Sequence, residues 1–377
     1  MKKKILYLTR LNPYDLRSWS GLSYFILKSL KKNYKIVTIG PLSNRIRGIY
    51  VLKRLFFSLF NIKFDIDRPK LVSKDFARQI EKKISNIKYD AVVTSEPYLL
   101  SFLQTQKPVF IYTDFLFSTL YEHYYSHLKI SQSTLSDANF CEYLALKKCK
   151  KIFLTSNYAI DHASKFYKIN KSKFKLIPFG ANLSPIPNKK KILDIIKKKN
   201  FKTCNIVTSG VHWSRKGIDK AVHVTKEINK KGIKAKLYII GVKYNKKLPK
   251  INNVYYLGFL DKNNSSDLKY YLNILKKMHF NVLFSQAEAY GLVNVEASAL
   301  GLYSITNDVG GISGAIKNNI NGFRFNKNEK PTVIANYIIK LFNNKKRYYS
   351  KSISSRKLYE KIYNWDVISE VLKRSIK

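Results

Sequence analysis

Residues 282–306 read VLFSQAEAYGLVNVEASALGLYSIT, and the way this stretch is parsed decides the fold. A short uncharged apolar run, 282–285, stops at a polar loop containing Gly291. A helical stretch follows from about Leu292, and a second apolar run, 303–306, comes after Gly301. Short apolar runs joined by a loop and a helix mark a βαβ unit, whose parallel strands are buried on both faces. Gly291 permits a tight turn and the close approach of a ligand. The first N–H groups of a helix lack internal partners and, with the helix dipole, suit a diphosphate. Glu288 precedes that turn and Glu296 lies one turn into the helix. A carboxylate accepts two hydrogen bonds from a vicinal diol, so two of them can hold two different sugars on either side of a phosphate cradle. Two surface acids near a helix N-terminus, where acids are mildly favoured, fit the same spacing.

The same rhythm extends in both directions. Apolar runs at 205–209, 236–240 and 254–257 alternate with helical stretches such as 218–230. Earlier runs at 4–9, 35–39, 91–95, 109–113 and 152–155 do likewise, with helices expected at 21–32 and 157–166. LIPFGANL, 176–183, has the proline and glycine of a closing turn, and SPIPNKKKILDIIKKKN, 184–200, is a charged, proline-containing join. From about Arg356, apolar positions at Leu358, Ile362, Trp365, Ile368 and Leu372 fall at helical spacing. The expected class is α/β, with two Rossmann-like doubly wound domains at 1–184 and 185–355. A terminal helix, 356–377, is expected to pack back on the first. Ligands of such sheets bind at the C-terminal ends of the strands, here in the cleft between the domains.

Composition bounds the rest. The chain has 377 residues, 45% of them apolar, which suits a folded protein with two cores. No run of 18 uncharged apolar residues offers a membrane span. The start, MKKKILYLTRLNP, has too short an apolar stretch for a signal peptide and reads as a first strand, so the chain is expected in the cytoplasm. Three cysteines, Cys141, Cys149 and Cys204, lack metal-ligand spacing and read as reduced thiols. The formal charge of +46 points either to an anionic partner or to a coding bias towards lysine, asparagine, isoleucine and tyrosine. No zinc finger, KH loop or RNP-like motif accompanies it, so nucleic acid is not the expected partner. The segment 44–68, NRIRGIYVLKRLFFSLFNIKFDIDR, interleaves Arg45, Arg47, Lys53, Arg54 and Lys63 with apolar residues. Leu52, Leu55, Phe56, Leu59 and Phe60 form a helical stripe. The first expectation for it is a core-facing helix with a basic rim; the second is peripheral contact with an anionic membrane, at its inner face.

Beyond these physical readings, the chain resembles the family 4 retaining glycosyltransferases of GT-B fold, whose hallmark Glu-x7-Glu is matched by Glu288 and Glu296. The resemblance continues through GLYSITNDVGGI (301–312), the turn Asn321-Gly322-Phe323, GVHWSRKGIDKAV (210–222), LYIIG (237–241) and YYLGFL (255–260). It is looser in SWSGLSYFI (18–26), VFIYTD (109–114), LTSNYAID (154–161) and IPFGANL (177–183), while Trp365 matches the aromatic position of the terminal helix. It implies transfer of a sugar from a nucleoside-diphosphate sugar to a glycan or lipid-linked acceptor, without cofactor or metal, in cell-surface polysaccharide or glycoconjugate synthesis. Glu288 would hold the donor hexose, and the Gly291, Leu292 and Val293 backbone would meet sugar and phosphate oxygens. Glu296 would take the ribose. Lys216, aided by Arg215, would neutralise the departing diphosphate; Gly21 would admit the diphosphate and acceptor. Gly258 and Phe259 would face the base. The chain departs from the family pattern in three places. Val211 and His212 stand where an arginine is common, Gly310-Gly311-Ile312-Ser313-Gly314 lacks the usual acid, and Asp114 replaces a frequent histidine. Asp114 would orient an acceptor hydroxyl or stabilise charge at the anomeric carbon, unless it only caps its loop.

Rival chemistries fit less well. Asp65-Ile66-Asp67 is the one Asp-x-Asp triplet, but it lies between the basic aromatic segment and Arg68-Pro69. A glycosidase pair would not need a diphosphate cradle. A sugar-nucleotide epimerase would need an acid/base pair around the sugar that does not emerge. A degenerate GT-B domain acting as a cationic binding protein would have no reason to keep Glu288, Glu296 and Lys216.

Overall fold

The computed structural model describes residues 2–125, 128–244 and 251–376. Contacts divide the chain into two compact units, one of residues 1–178 with 369–377 and one of 179–368.

The N-terminal unit holds six parallel strands: β1 (Lys4–Leu8), β2 (Lys35–Ile39), β3 (Ala91–Thr94), β4 (Val109–Thr113), β5 (Lys151–Leu154) and β6 (Phe174–Leu176). Their order across the sheet is β2-β1-β3-β4-β5-β6, so the winding reverses between β1 and β3. Strands β3 and β4 are buried along their whole length. That is why they read as uninterrupted apolar runs. Between β2 and β3 lie the helices Arg47–Leu59 and Lys70–Ile84.

The second unit repeats the plan with β7 (Cys204–Ser209), β8 (Ala235–Ile240), β9 (Val254–Tyr256), β10 (Phe280–Leu283), β11 (Tyr303–Asn307) and β12 (Gly322–Phe325). Their order is β12-β11-β10-β7-β8-β9, all pairs parallel. Counted within the unit this is the 3-2-1-4-5-6 order of dinucleotide-binding sheets, with its reversal between β7 and β10. One core face joins Ile206, Leu237, Phe280, Val282 and Ile305 to helices Ile218–Lys230 and Pro331–Phe342. The other joins Val207 and Ile240 to helix Ser265–Lys277.

Several boundaries differ from the sequence expectations. The expected join at 184–200 contains the helix Lys189–Lys197, whose Ile192 and Ile196 are buried in the second core. The units divide after Pro178 because the 179–183 turn is tied into the second one. There the Phe179 carbonyl accepts from Tyr290 Oη at 2.8 Å, Ala181 N–H donates to the Tyr363 carbonyl at 3.0 Å, and Trp365 Nε1 donates to Asn182 Oδ1 at 3.1 Å. The terminal helix is Trp365–Ser375, starting nine residues later than 356, and only its part from Ser369 belongs to the N-terminal unit. There Ser369 Oγ donates to the Ser29 carbonyl at 2.7 Å. The Asn321-Gly322-Phe323 turn leads directly into β12. The helix Arg47–Leu59 overturns the core-facing expectation: none of its residues is buried.

Candidate active site

At the reversal between β7 and β10, the loops leaving two neighbouring strands must pass side by side, and both carry residues singled out above. Strand β7 runs out into the turn of residues 210–217, which starts the helix Ile218–Lys230. Strand β10 runs out through Ser285 and Glu288 to the helix Leu292–Ala299. The loops are stitched together where Gln286 N–H donates to the Arg215 carbonyl at 2.8 Å. Gly217 makes this approach possible: it has φ +60°, and a Cβ there would lie 2.0 Å from the Phe284 carbonyl oxygen.

Lys216 Nζ and Glu288 Oε2 form an ion pair of 2.7 Å with both side chains largely shielded from solvent. Ser285 Oγ donates to the same oxygen at 2.9 Å, and Gly311 N–H donates to the Glu288 carbonyl at 3.0 Å. Glu288 is therefore fixed in backbone and side chain by the ends of β10 and the loop after β11. The lysine stem crosses Gly210, where a Cβ would stand 2.5 Å from Lys216 Cγ.

Gly291 caps the helix Leu292–Ala299 at φ +81°, and no side chain caps the helix start. Leu292 and Val293 thus begin the helix with N–H groups that its own ladder does not use. A Cβ on Gly291 would stand 2.8 Å from the amide nitrogen of Asn294. That nitrogen is buried with no hydrogen-bond partner among the described residues, while Asn294 Oδ1 accepts from Asn281 Nδ2 at 2.8 Å. An unpaired buried donor costs free energy, and here it lies beside a helix start suited to an anion. Sequence reading missed Asn294, whose only local signal is its place in the first turn.

Glu296 is wholly buried, with Lys262 Nζ donating to Oε1 and Tyr271 Oη donating to Oε2 at 2.8 Å. A buried carboxylate needs such partners. Neither partner was expected from the sequence, since both come from the β9–β10 connection and no spacing links them to Glu296. Burial, and then the Glu296 charge, drive the Tyr271 phenol well above its ordinary pKa, so it stays a donor.

The other expected residues are placed as follows. Gly258 has φ +72°, with its N–H given to the Val242 carbonyl at 3.1 Å and its carbonyl receiving Gly241 N–H at 2.7 Å; Phe259 follows with an exposed ring. In the N-terminal unit, Gly21 caps the helix Leu22–Asn33 at φ +79°. Asp114 Oδ1 accepts from Phe115 N–H at 2.8 Å, the loop-capping arrangement. In the Asp-x-Asp triplet, Asp67 pairs with Arg10 at 2.8 Å and accepts from Asn44 Nδ2 at 3.2 Å, while Asp65 faces Arg68 at 3.8 Å. Among the described residues, no group of three or more His, Cys, Asp or Glu side chains is arranged to hold a metal ion.

Two six-stranded parallel sheets, each flanked by helices, make the two Rossmann-like domains of the GT-B fold. Residues 188–363 match the family described as glycosyl transferases group 1. No curated protein matches the chain by sequence. Among solved structures it is similar to a sucrose-phosphate synthase from Thermosynechococcus elongatus, with TM-score 0.70 and 14% identity over 99% of this chain and 98% of the other. It is also similar to a glycosyltransferase from Rickettsia africae, with TM-score 0.64 and 18% identity over 100% and 98% of the two chains. HepE of Anabaena, solved in complex with UDP-glucose, superposes with TM-score 0.63 and 14% identity over 99% of each chain.

Proposed function

We propose that the chain transfers a sugar from a nucleoside-diphosphate sugar to a glycan or lipid-linked acceptor with retention of anomeric configuration, as a family 4 enzyme of cell-surface polysaccharide or glycoconjugate synthesis. The observation that carries this reading is the Lys216–Glu288 pair at the β7/β10 reversal, beside the uncapped helix start at Gly291.

Each partner of that pair has the chemistry to exchange the other for part of a donor. Lys216 offers its charge to the diphosphate, and Glu288 accepts from hexose hydroxyls. As the glycosidic bond breaks, negative charge grows on the leaving phosphate, and a preformed positive site lowers that barrier without reorganising. Lys216, the Leu292 and Val293 N–H groups and the Asn294 amide supply it, and no metal ion is required. Glu296, with Lys262 and Tyr271, bounds the ribose end, and Phe259 the base. The acceptor attacks on the face the diphosphate leaves, and the departing phosphate oxygen takes the acceptor proton.

UDP-glucose is the first donor to test, because HepE was solved with it. Saturation-transfer NMR against UDP-, GDP- and ADP-sugars should give enhancements for one nucleotide series, lost in Glu296→Gln. Absence of binding to all three would sink the reading and favour a cationic binding protein.

A further inference from the structure

We propose that the helix Arg47–Leu59 and its continuation to Phe60 form a docking surface for an anionic lipid bilayer. The helix is anchored along one side only. Tyr50 and Phe57 stack on the buried Phe64 ring at 5.9 and 5.5 Å, and Lys53 Nζ lies 5.2 Å from the same ring. The rest of its apolar surface faces outward. Ile49, Leu52, Leu55, Phe56, Leu59 and Phe60 are each between 55% and 80% exposed. Six large apolar side chains exposed on one helix form a contiguous patch of the kind that marks an interaction site. Phe56 and Phe60 touch each other, with ring centres 5.4 Å apart, so the patch is continuous at its aromatic end.

Charge identifies the occupant. No acidic residue occurs from Asn44 to Phe64, whereas Arg45, Arg47, Lys53, Arg54 and Lys63 all do. Arg47, Arg54 and Ser58 follow one another along the flank of the helix and, with Lys63, line a groove of about 640 Å³. Asp65 and Asp67 at its edge are already engaged by Arg68 and Arg10. The groove is therefore left with net positive charge, beside a surface of leucine and phenylalanine. An anionic bilayer presents phosphate at the depth of the arginines and hydrocarbon at the depth of the rings, so it satisfies both at once. A protein partner would have to combine an apolar face with a matching acidic border. Among the described residues no helix is long and apolar enough to cross a membrane, so the contact is interfacial. The +46 formal charge of the chain adds a long-range attraction to the same surface.

Sedimentation of the full chain with vesicles tests this independently of the donor chemistry. Wild-type protein should bind phosphatidylcholine vesicles containing about one quarter phosphatidylglycerol and leave pure phosphatidylcholine vesicles largely unbound. Combined Leu52→Ser, Phe56→Ser, Leu59→Ser and Phe60→Ser changes should lower the partition coefficient by about tenfold or more. Arg47→Gln with Arg54→Gln should lower it several-fold and flatten its dependence on salt. A Phe56→Trp variant should gain fluorescence quenching from bromine-labelled acyl chains. Binding of the serine variant like wild type, or no quenching at position 56, overturns the proposal. So does a stripe whose loss abolishes only a dimer seen by gel filtration, which would make the occupant a second copy of the chain.

Discussion

In the C-terminal unit the reversal of strand order brings Lys216 against Glu288; in the N-terminal unit the equivalent reversal, between β1 and β3, brings Thr9 and Arg10 against Glu96. Both sheets thus set a glutamate beyond a strand end, but the two are used differently. Glu96 Oε1 accepts from Arg10 N–H at 2.9 Å and Thr9 Oγ1 at 3.2 Å, and Tyr98 Oη donates to its other oxygen. All three donors lie on the two loops it joins, and the nearby Arg10 head is itself turned to Asp67. Glu288 instead faces one lysine ammonium and one serine hydroxyl, next to a helix start without a side-chain cap. One reversal is closed by its own backbone and side chains. The other holds a lysine–glutamate charge pair beside that helix start.

Removing either partner of the Lys216–Glu288 pair should cost the most activity. Lys216→Ala and Glu288→Gln should each lower turnover by about two to three orders of magnitude, the scale on which removing one preorganised charge-stabilising group acts. Steady-state rates with the cognate donor check this, and folding should survive, as read by circular dichroism. Near-wild-type turnover in either variant would show that the pair is as structural as the contacts of Glu96.

A second effect sets a buried acid that has a basic partner against one that lacks it. Glu142, in helix Gln132–Lys148 of the N-terminal unit, is buried and accepts from Phe117 N–H and Tyr167 Oη, both at 2.6 Å. Burial outweighs these bonds and the more distant charge of Arg68, pushing its pKa up to about 7. The folded state therefore holds a proton that the unfolded chain, near 4.5, releases. Stability from this group is complete below about pH 4.5 and is lost as pH rises through 7. The loss amounts to about 3 kcal/mol at most. Glu142→Gln should remove that slope, so its stability relative to wild type should rise between pH 4.5 and 7.5 in denaturant titrations. A parallel pH dependence in the two proteins would show that Glu142 does not carry the proton.

Which of these features the sequence discloses follows from how each is built. Parallel strands buried on both faces are mostly apolar, so β3 and β4 stand out as runs, and β10 does so from Val282, after its buried Asn281. Strand β6, Phe-Lys-Leu with one buried residue, cannot. The helix Lys189–Lys197 hides because only Ile192 and Ile196 among its nine residues are buried, and its lysines read as a linker. Lys216 and the two glutamates are legible through their motifs, each lying within a few residues of a glycine turn. Lys262, Tyr271 and Glu96 are not, because their roles arise only when distant loops meet at a sheet edge. The stripe of the Arg47–Leu59 helix is visible from spacing, but spacing is the same for an inward and an outward face. Only the exposure of Leu52 and Phe56 decides between them.

A smaller effect is expected at Glu96. Glu96→Gln keeps one carbonyl oxygen for Thr9 and Arg10 but replaces the oxygen that receives Tyr98 Oη with a donor. The phenol, which burial and the Glu96 charge hold well above its ordinary pKa, must then turn or stay unpaired. The cost should be about 1–2 kcal/mol of stability, the penalty of one poorly satisfied buried polar group. It should appear as a lower denaturation midpoint, while the affinity for the nucleotide donor stays as in wild type. The carboxylates of the two reversals then part cleanly: Glu288→Gln moves turnover, and Glu96→Gln moves stability alone. If Glu96→Gln instead raised the acceptor KM at an unchanged midpoint, the closed reversal would have to be counted as part of the acceptor site. The Arg10 Nε, buried there without a hydrogen-bond partner among the described residues, would then be the first donor to examine.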